Sequence, residues 1–285
     1  MSRRQHTTWW GTALTHLTLI VITVATLYPL AIVMRLALNE GQSFQADLSP
    51  IPQHPTVANF VAVVSETDAE GHWLFGRQLL NSAVIAIATT ILGILLATTA
   101  GYAFSRFRFP GRQAGLMAFL VSQMFPGVLM MIPLYLIMQE LGLLNQPLGL
   151  IVVYATTAIP FCVWMLKGYF DTIPKDLEES AIMDGASQFT VFWRIILPLS
   201  MPAVAVTALF SFMTAWNEFV LAFTFMDAPT AFTLPVAVNN YVGEKSIEWG
   251  KFAAASVLVS VPVMALFFAL QKHLVGGLTA GGVKG

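Results

Sequence analysis

An all-α, polytopic membrane protein with six transmembrane helices, forming a single domain over residues 1–285, is the fold class this sequence predicts, and three observations predict it. Of 285 residues, 56% are hydrophobic and only 10% charged, where an ordinary soluble domain carries about 25% charge. A water-soluble body needs a polar exterior that this composition cannot supply. Uncharged stretches long enough to cross a bilayer recur along the chain: Trp9–Met34, Gln78–Ser105, Gln113–Gln139, Leu141–Leu166, Ile195–Asn217 and Phe252–Gln271. About 20 apolar residues suffice for one helical crossing. None of these runs shows the apolar/polar alternation of a barrel strand.

The elements follow in order. Arg3 and Arg4 precede the first run, as in a secretory signal, but the run is too long for a signal core and no small-x-small cleavage site follows, so a retained first span is expected at about 12–36. A long loop, Asn39–Arg77, carries Glu40, Asp47, Glu66, Asp68 and Glu70 and a proline cluster near Ser49. The second span is expected at about 79–105, with Gly93, Gly101 and the small residues Ala97–Ala100 allowing close helix approach. The third (113–139) and fourth (147–168) are separated by the turn Asn145-Gln146-Pro147; Pro126, Pro133 and Pro160 are candidate kinks. The fifth is expected at 199–224, the sixth at 252–272, and a glycine-rich tail at 275–285 is read as flexible.

The Lys/Arg distribution orients the chain. With the N-terminus inside, Arg3, Arg4, Arg106, Arg108, Arg112, Lys167, Lys175, Arg194, Lys272 and Lys284 fall inside, against Arg35, Arg77, Lys245 and Lys251 outside, 10 to 4 of 14. Both termini and the loop 171–198 are thus expected in the cytoplasm. Net charge is −1, which offers no surface for nucleic acid, and the lone Cys162 excludes an intrachain disulfide.

The loop 171–198 is polar within an apolar chain. Pro174 suits a helix start, and Asp176, Glu178 and Glu179 suit the positive end of the helix dipole. The helix should end near Met183, where Asp184-Gly185 breaks it, and a second helix should begin near Ser187. Phe189, Phe192, Trp193 and Ile196 then fall on one helical face, expected to pack on the spans, before Pro198 and Pro202. An acidic helix is a poor lipid-surface binder at an anionic leaflet, so a docking elbow for a soluble partner is the better physical reading than an amphipathic connector.

Glu179-Ser180-Ala181, three residues, Gly185, nine residues and Ile195-Ile196-Leu197-Pro198 resemble the coupling loop of ABC-importer permease subunits, with Ser180 in place of an alanine. Gly101–Gly111, Ala215-Trp216-Asn217-Glu218-Phe219, Trp249–Ala255 and the tail Gly277–Gly285 resemble carbohydrate-type permeases, closest to the smaller permease subunit of the maltose/maltodextrin importer, over roughly residues 15–285. The resemblance implies a type I ABC-importer permease fold and half of a sugar pathway in a bacterial inner membrane. It implies a heterodimeric partnership with a second permease, two copies of an ATPase subunit and an extracytoplasmic sugar-binding protein. The loop Glu178, Glu179, Ser180, Ala181, Asp184, Gly185, Ala186, Ile196 and Pro198 would dock the ATPase. Thr279, Gly281 and Gly282 would reach the ATPase as a second contact, and Asn239, Asn240 and Tyr241 would meet the binding protein.

No phosphate-binding loop G-x-x-x-x-G-K-[ST] occurs, so ATP and Mg are expected on a separate ATPase, with no cofactor on this chain. The histidines His6, His16, His54, His72 and His273 are scattered, and no metal or catalytic residue is expected. An ion-coupled secondary carrier of a small neutral solute is the alternative. Its best proton site is Glu218, but counting from Ser200 puts it roughly 27 Å along the helix, near the outer interface, where it reads as a rim residue hydrogen-bonded with Asn217. Trp216 reads as an interfacial anchor. A scaffold without a pathway is the remaining alternative.

Overall fold

A computed structural model of the protein describes residues 9–44, 48–243 and 247–282, with side chains as far as Gln271. The elements in chain order are α1 (Trp9–Leu38), α2 (Ala58–Val64), α3 (Leu74–Arg106), α4 (Arg112–Met124), α5 (Gly127–Glu140), α6 (Pro147–Phe170), α7 (Asp176–Met183), α8 (Gln188–Val191), a π-helical turn (Phe192–Ile196), α9 (Leu197–Leu199), α10 (Met201–Asn217), α11 (Val220–Phe225), α12 (Leu234–Asn239) and α13 (Trp249–Gly282). The described residues form no sheet, only isolated bridges such as Asn39 with Pro55 and Thr67 with Trp73.

Among the described residues, four helices are long and apolar enough to cross a membrane: Trp9–Leu38, Leu74–Arg106, Pro147–Phe170 and Trp249–Gln271. Two bent pairs raise the number to six if each pair is one span. The expected third span, 113–139, breaks by 99° between α4 and α5, at the candidate kink Pro126. Phe125 is extended (ψ 127°), the conformation a following proline imposes, and Pro126 has no N–H to continue the helix. The expected fifth span, 199–224, is entered through a 77° bend at Ser200 and ends at Asn217, seven residues early. Glu218 turns extended there, and its carboxylate accepts from the amides of Leu221 and Ala222, starting α11 afresh. The helical backbone of α13 continues through Gly282, beyond the expected end of the sixth span and through most of the tail read as flexible; Val283–Gly285 lie outside the described residues.

The residues sort into two compact units. In the first, residues 1–66 and 238–259, α1 shows most of its apolar side chains to the surroundings, Leu14, Ile20 and Val24 each more than half exposed. Such a face would aggregate in water and is at home in lipid. Asn59 is buried behind it and donates to the carbonyls of Ala37 and Asn39 while accepting from Gln42.

In the second unit, residues 67–237 and 260–285, α3 packs chiefly on α6 and both pack on α10. Gly101 permits the α3–α6 approach: a Cβ there would stand 3.2 Å from the backbone nitrogen of Lys167. The core at this end joins Ala97 and Tyr102 of α3, Cys162, Leu166 and Phe170 of α6, and Val191, Phe192 and Ile196 of the loop that follows. Trp216 is a core residue too, 2% exposed and stacked on Phe212, not the boundary anchor its type suggests. The segment 227–237 is tied to α3 by Asn81, which donates to the carbonyls of Thr230 and Phe232, and by Ser82, which accepts from the amide of Leu234.

Candidate functional site

The loop between α6 and α10 is a helix–turn–helix elbow whose base is buried and whose tip is exposed. The helix α7 begins at Asp176, with Lys175 at its N-cap, so Pro174 lies two residues before the first helical residue rather than at it. Asp176, Glu178 and Glu179 occupy its first turn, where carboxylates face the positive end of the dipole. At the other end the amide of Ala186 donates to the carbonyl of Ala181 (3.0 Å) and that of Gly185 to Ile182 (2.9 Å). This is a Schellman closure, which needs a left-handed residue after the C-cap, and Gly185 supplies it at φ +90°. Ser187 then caps α8, its Oγ accepting from the amide of Thr190 at 3.2 Å.

Glu178, singled out with the ATPase-docking residues, does not lie on the exposed side of α7. It is 8% exposed and turned inward. One carboxylate oxygen accepts from the Tyr102 hydroxyl at 2.8 Å and the other from Arg106 Nε. Arg106 also donates to the Ile173 carbonyl (3.0 Å) and to Ser105 Oγ (3.1 Å). Ser105 in turn donates to Asp171, which accepts from Lys167 at 2.6 Å as well. Burial alone would raise the Asp171 carboxyl, but Lys167, the Ser105 hydroxyl and the Arg106 charge outweigh it and hold it below the usual carboxylate range. A polar chain thus runs from the last turn of α6, across the end of α3, to the first turn of α7.

The expected apolar face also divides. Phe192 and Ile196 are buried, joined by Val191, whereas Phe189 is 72% exposed and Trp193 45% exposed. The cause is the π-helical turn at Phe192–Ile196, in which the amide of Leu197 reaches the carbonyl of Phe192. Five-residue spacing brings Val191 and Ile196 to one side and rotates Phe189 and Trp193 away from it. Pro198, with no N–H to give the Arg194 carbonyl, follows the widened turn. Of the loop residues singled out from sequence, Glu179, Ser180, Asp184, Gly185 and Pro198 are exposed, Ala181 and Ala186 pack partly on the core, and Glu178 and Ile196 are interior. The tip presents Met183, 88% exposed, with Ile182 and Phe189.

The other singled-out residues lie elsewhere. Tyr241 donates its hydroxyl to Glu66, and burial, then the Glu66 hydrogen bond and charge, then Glu248, push that phenol upward. Asn239 ends α12, with Asn240 exposed after it. Thr279, Gly281 and Gly282 occupy the last turns of α13. Glu218 is bonded by Tyr154 of α6, not by Asn217, whose amide donates to the Met213 carbonyl.

Sequence reasoning missed Tyr102, Ser105, Arg106, Lys167 and Asp171; the available signal was a basic side chain in the last turn of α3 and another in that of α6, with the acidic loop following α6. It also missed that Asp68, Glu70 and His72 offer ligand atoms within 4.8 Å of one another. Asp68 accepts from the amides of Glu70 and His72 and from His72 Nδ1, a hairpin clamp that accounts for the clustering.

A helical chain with four to six candidate spans and an elbow with a buried base and an exposed tip has the architecture of an ABC-importer permease. The chain belongs to the family of binding-protein-dependent transport system inner membrane components, matched over residues 77–279. It is 39% identical to a galactooligosaccharides transport system permease of Bacillus subtilis, covering 95% of this chain and 94% of the relative. It is 36% identical to a maltodextrin permease of Streptococcus pneumoniae, covering 96% and 95%, and 37% identical to a maltose/maltodextrin permease of Vibrio vulnificus, covering 95% of each. The fold matches a chain of a bacterial ABC transporter involved in import of the acidic polysaccharide alginate, with TM-score 0.78 and 21% identity over 96% of this chain and 99% of that one.

Proposed function

We propose that this chain forms half of the pathway of an ATP-driven importer for a neutral oligosaccharide of the maltodextrin type, and that it receives force from a separate ATPase through the elbow 176–199. The observation that carries the reading is the contrast within the elbow: an exposed tip at Met183 on a base fixed by Glu178, Arg106 and Tyr102. A tip of Ile182, Met183 and Phe189 ringed by Glu179 and Asp184 fits an apolar cleft with a basic rim. The absence of a phosphate loop from the sequence supports placing ATP and Mg on that partner.

The relatives' maltodextrin and galactooligosaccharide permeases support an oligosaccharide as cargo. A second, different permease would complete the pathway, and an extracytoplasmic binding protein would deliver the sugar, touching Asn239, Asn240 and Tyr241. The 10-to-4 Lys/Arg bias supports a cytoplasmic elbow, cytoplasmic termini and a tail, Thr279–Gly282, within reach of the ATPase. Closure of the ATPase pair drives the elbows together; the energy available is the difference in the ATPase's affinity for the two permease states.

The test is reconstitution of the purified complex in liposomes. Maltodextrin uptake should require internal ATP and the binding protein, and Met183→Cys should crosslink to the ATPase. Uptake sustained by a proton gradient without an ATPase would instead establish the ion-coupled carrier.

A further inference from the structure

Where α3 leaves the apolar span, the chain passes through Phe107–Gly111 into α4 and leaves a cleft of about 660 Å³ against the last turns of α6. Its lining has a basic part, Arg108, Arg112 and Lys167, and an apolar part, Leu116, Met117 and Trp164. Lys167 is paired with Asp171. Arg112 spends Nε on the Phe104 carbonyl at 2.7 Å and keeps its two terminal nitrogens. Arg108 makes no hydrogen bond or ion pair with any described residue. Two guanidinium groups therefore face one cleft, and no lining residue is acidic.

The charged and the apolar lining residues of α4 succeed one another along that helix. Leu116 lies four residues beyond Arg112, so about 6 Å further along the same face of α4. The Trp164 indole N–H donates to the Leu116 carbonyl, closing the apolar end. Arginine forks match phosphate oxygens in bidentate geometry. A free phosphate would use the basic residues alone; a phospholipid would use both kinds, its phosphate at the arginines and an acyl chain along Leu116 and Met117. Basic pockets between helices at a membrane surface are where acidic head groups are held.

We propose that this cleft is a binding site for an anionic glycerophospholipid of the phosphatidylglycerol class. The inference rests on the chain's membership of a membrane family and on these residues, and is independent of the sugar and of the ATPase contact. The site would hold α3, α4 and α6 together at the base of the elbow.

The complete transporter is placed in nanodiscs of mixed phosphatidylglycerol and phosphatidylcholine, extracted gently, and its retained lipid measured by native mass spectrometry. Phosphatidylglycerol should be enriched over its bulk share, with affinity reduced about fivefold in Arg108→Gln and about 25-fold in Arg108→Gln/Arg112→Gln, taking each arginine as one surface charge. Arg108→Gln removes no internal hydrogen bond or ion pair, so it remains informative if the double variant folds poorly. No enrichment, or enrichment equal in wild type and Arg108→Gln, overturns the proposal; so does a partner subunit covering the cleft. Binding of inorganic phosphate alone, undiminished when Leu116→Ala/Met117→Ala shortens the apolar lining, would make it a free-anion site and overturn the lipid assignment.

Discussion

Replacing Glu178 with alanine removes the carboxylate that Tyr102 and Arg106 share, at a place where the Arg106 side chain is 7% and the Glu178 side chain 10% exposed. Breaking a buried ion pair from one side costs about 3–5 kcal/mol, because the remaining charge is stranded. Arg106 keeps two acceptors, the Ile173 carbonyl and Ser105 Oγ, and sits at the end of a span where water can enter. These place the cost nearer about 2–3 kcal/mol, which is roughly a 30- to 150-fold change in the opening equilibrium of the elbow. Hydrogen exchange reads that quantity directly. Amides 176–186 should exchange faster by that factor in Glu178→Ala, while those in the middle of α3 keep their protection. The paired replacement Glu178→Leu/Arg106→Met leaves no stranded charge and should recover most of the loss. Unchanged exchange in the single variant, or no recovery in the pair, would refute the account of the elbow as ionically anchored.

Gly185→Val should abolish coupled uptake while leaving membrane insertion intact, because a β-branched residue at φ +90° costs about 1–2 kcal/mol; no atom lies within 4 Å of the position a Cβ would take, so Gly185→Asn, which tolerates that backbone, should retain most activity in the same uptake assay. Trp216→Ala should lower thermal stability in detergent by about 3–5 kcal/mol, whereas a boundary anchor would lose little. The lowered Asp171 carboxyl stabilises the fold above its unfolded value, about 3.9, and that contribution disappears as pH falls through the depressed folded value. The melting difference between wild type and Asp171→Asn should therefore be constant near neutrality and vanish only below about pH 4.

The elbow was legible because its signals are local. A Schellman closure requires a left-handed residue, and Gly185 after Asp184 announces one; Ser187 announces the next cap. The spans were legible from hydropathy, since lipid demands long uncharged helices. What escaped depends on partners distant in the chain. Nothing near Glu178 marks it as interior; its fate is set by Tyr102 and Arg106, more than 70 residues earlier. Phe189 and Trp193 fit an α-helical face, and only the widened turn displaces them. Trp216 has the type of a boundary residue, but its neighbour Phe212 shares the interior. Pro126 did announce a kink, and the structure makes it a near right-angle corner.

The five residues Phe192–Ile196 also set the azimuth of everything before them. Shortening that turn by one residue to an ordinary α-helical repeat would rotate α7 and the Met183 tip by about 100° about the helix axis relative to α10. The direction in which the knuckle points is thus encoded in the pitch of a single coil, and a one-residue deletion there would misaim it without unfolding either helix.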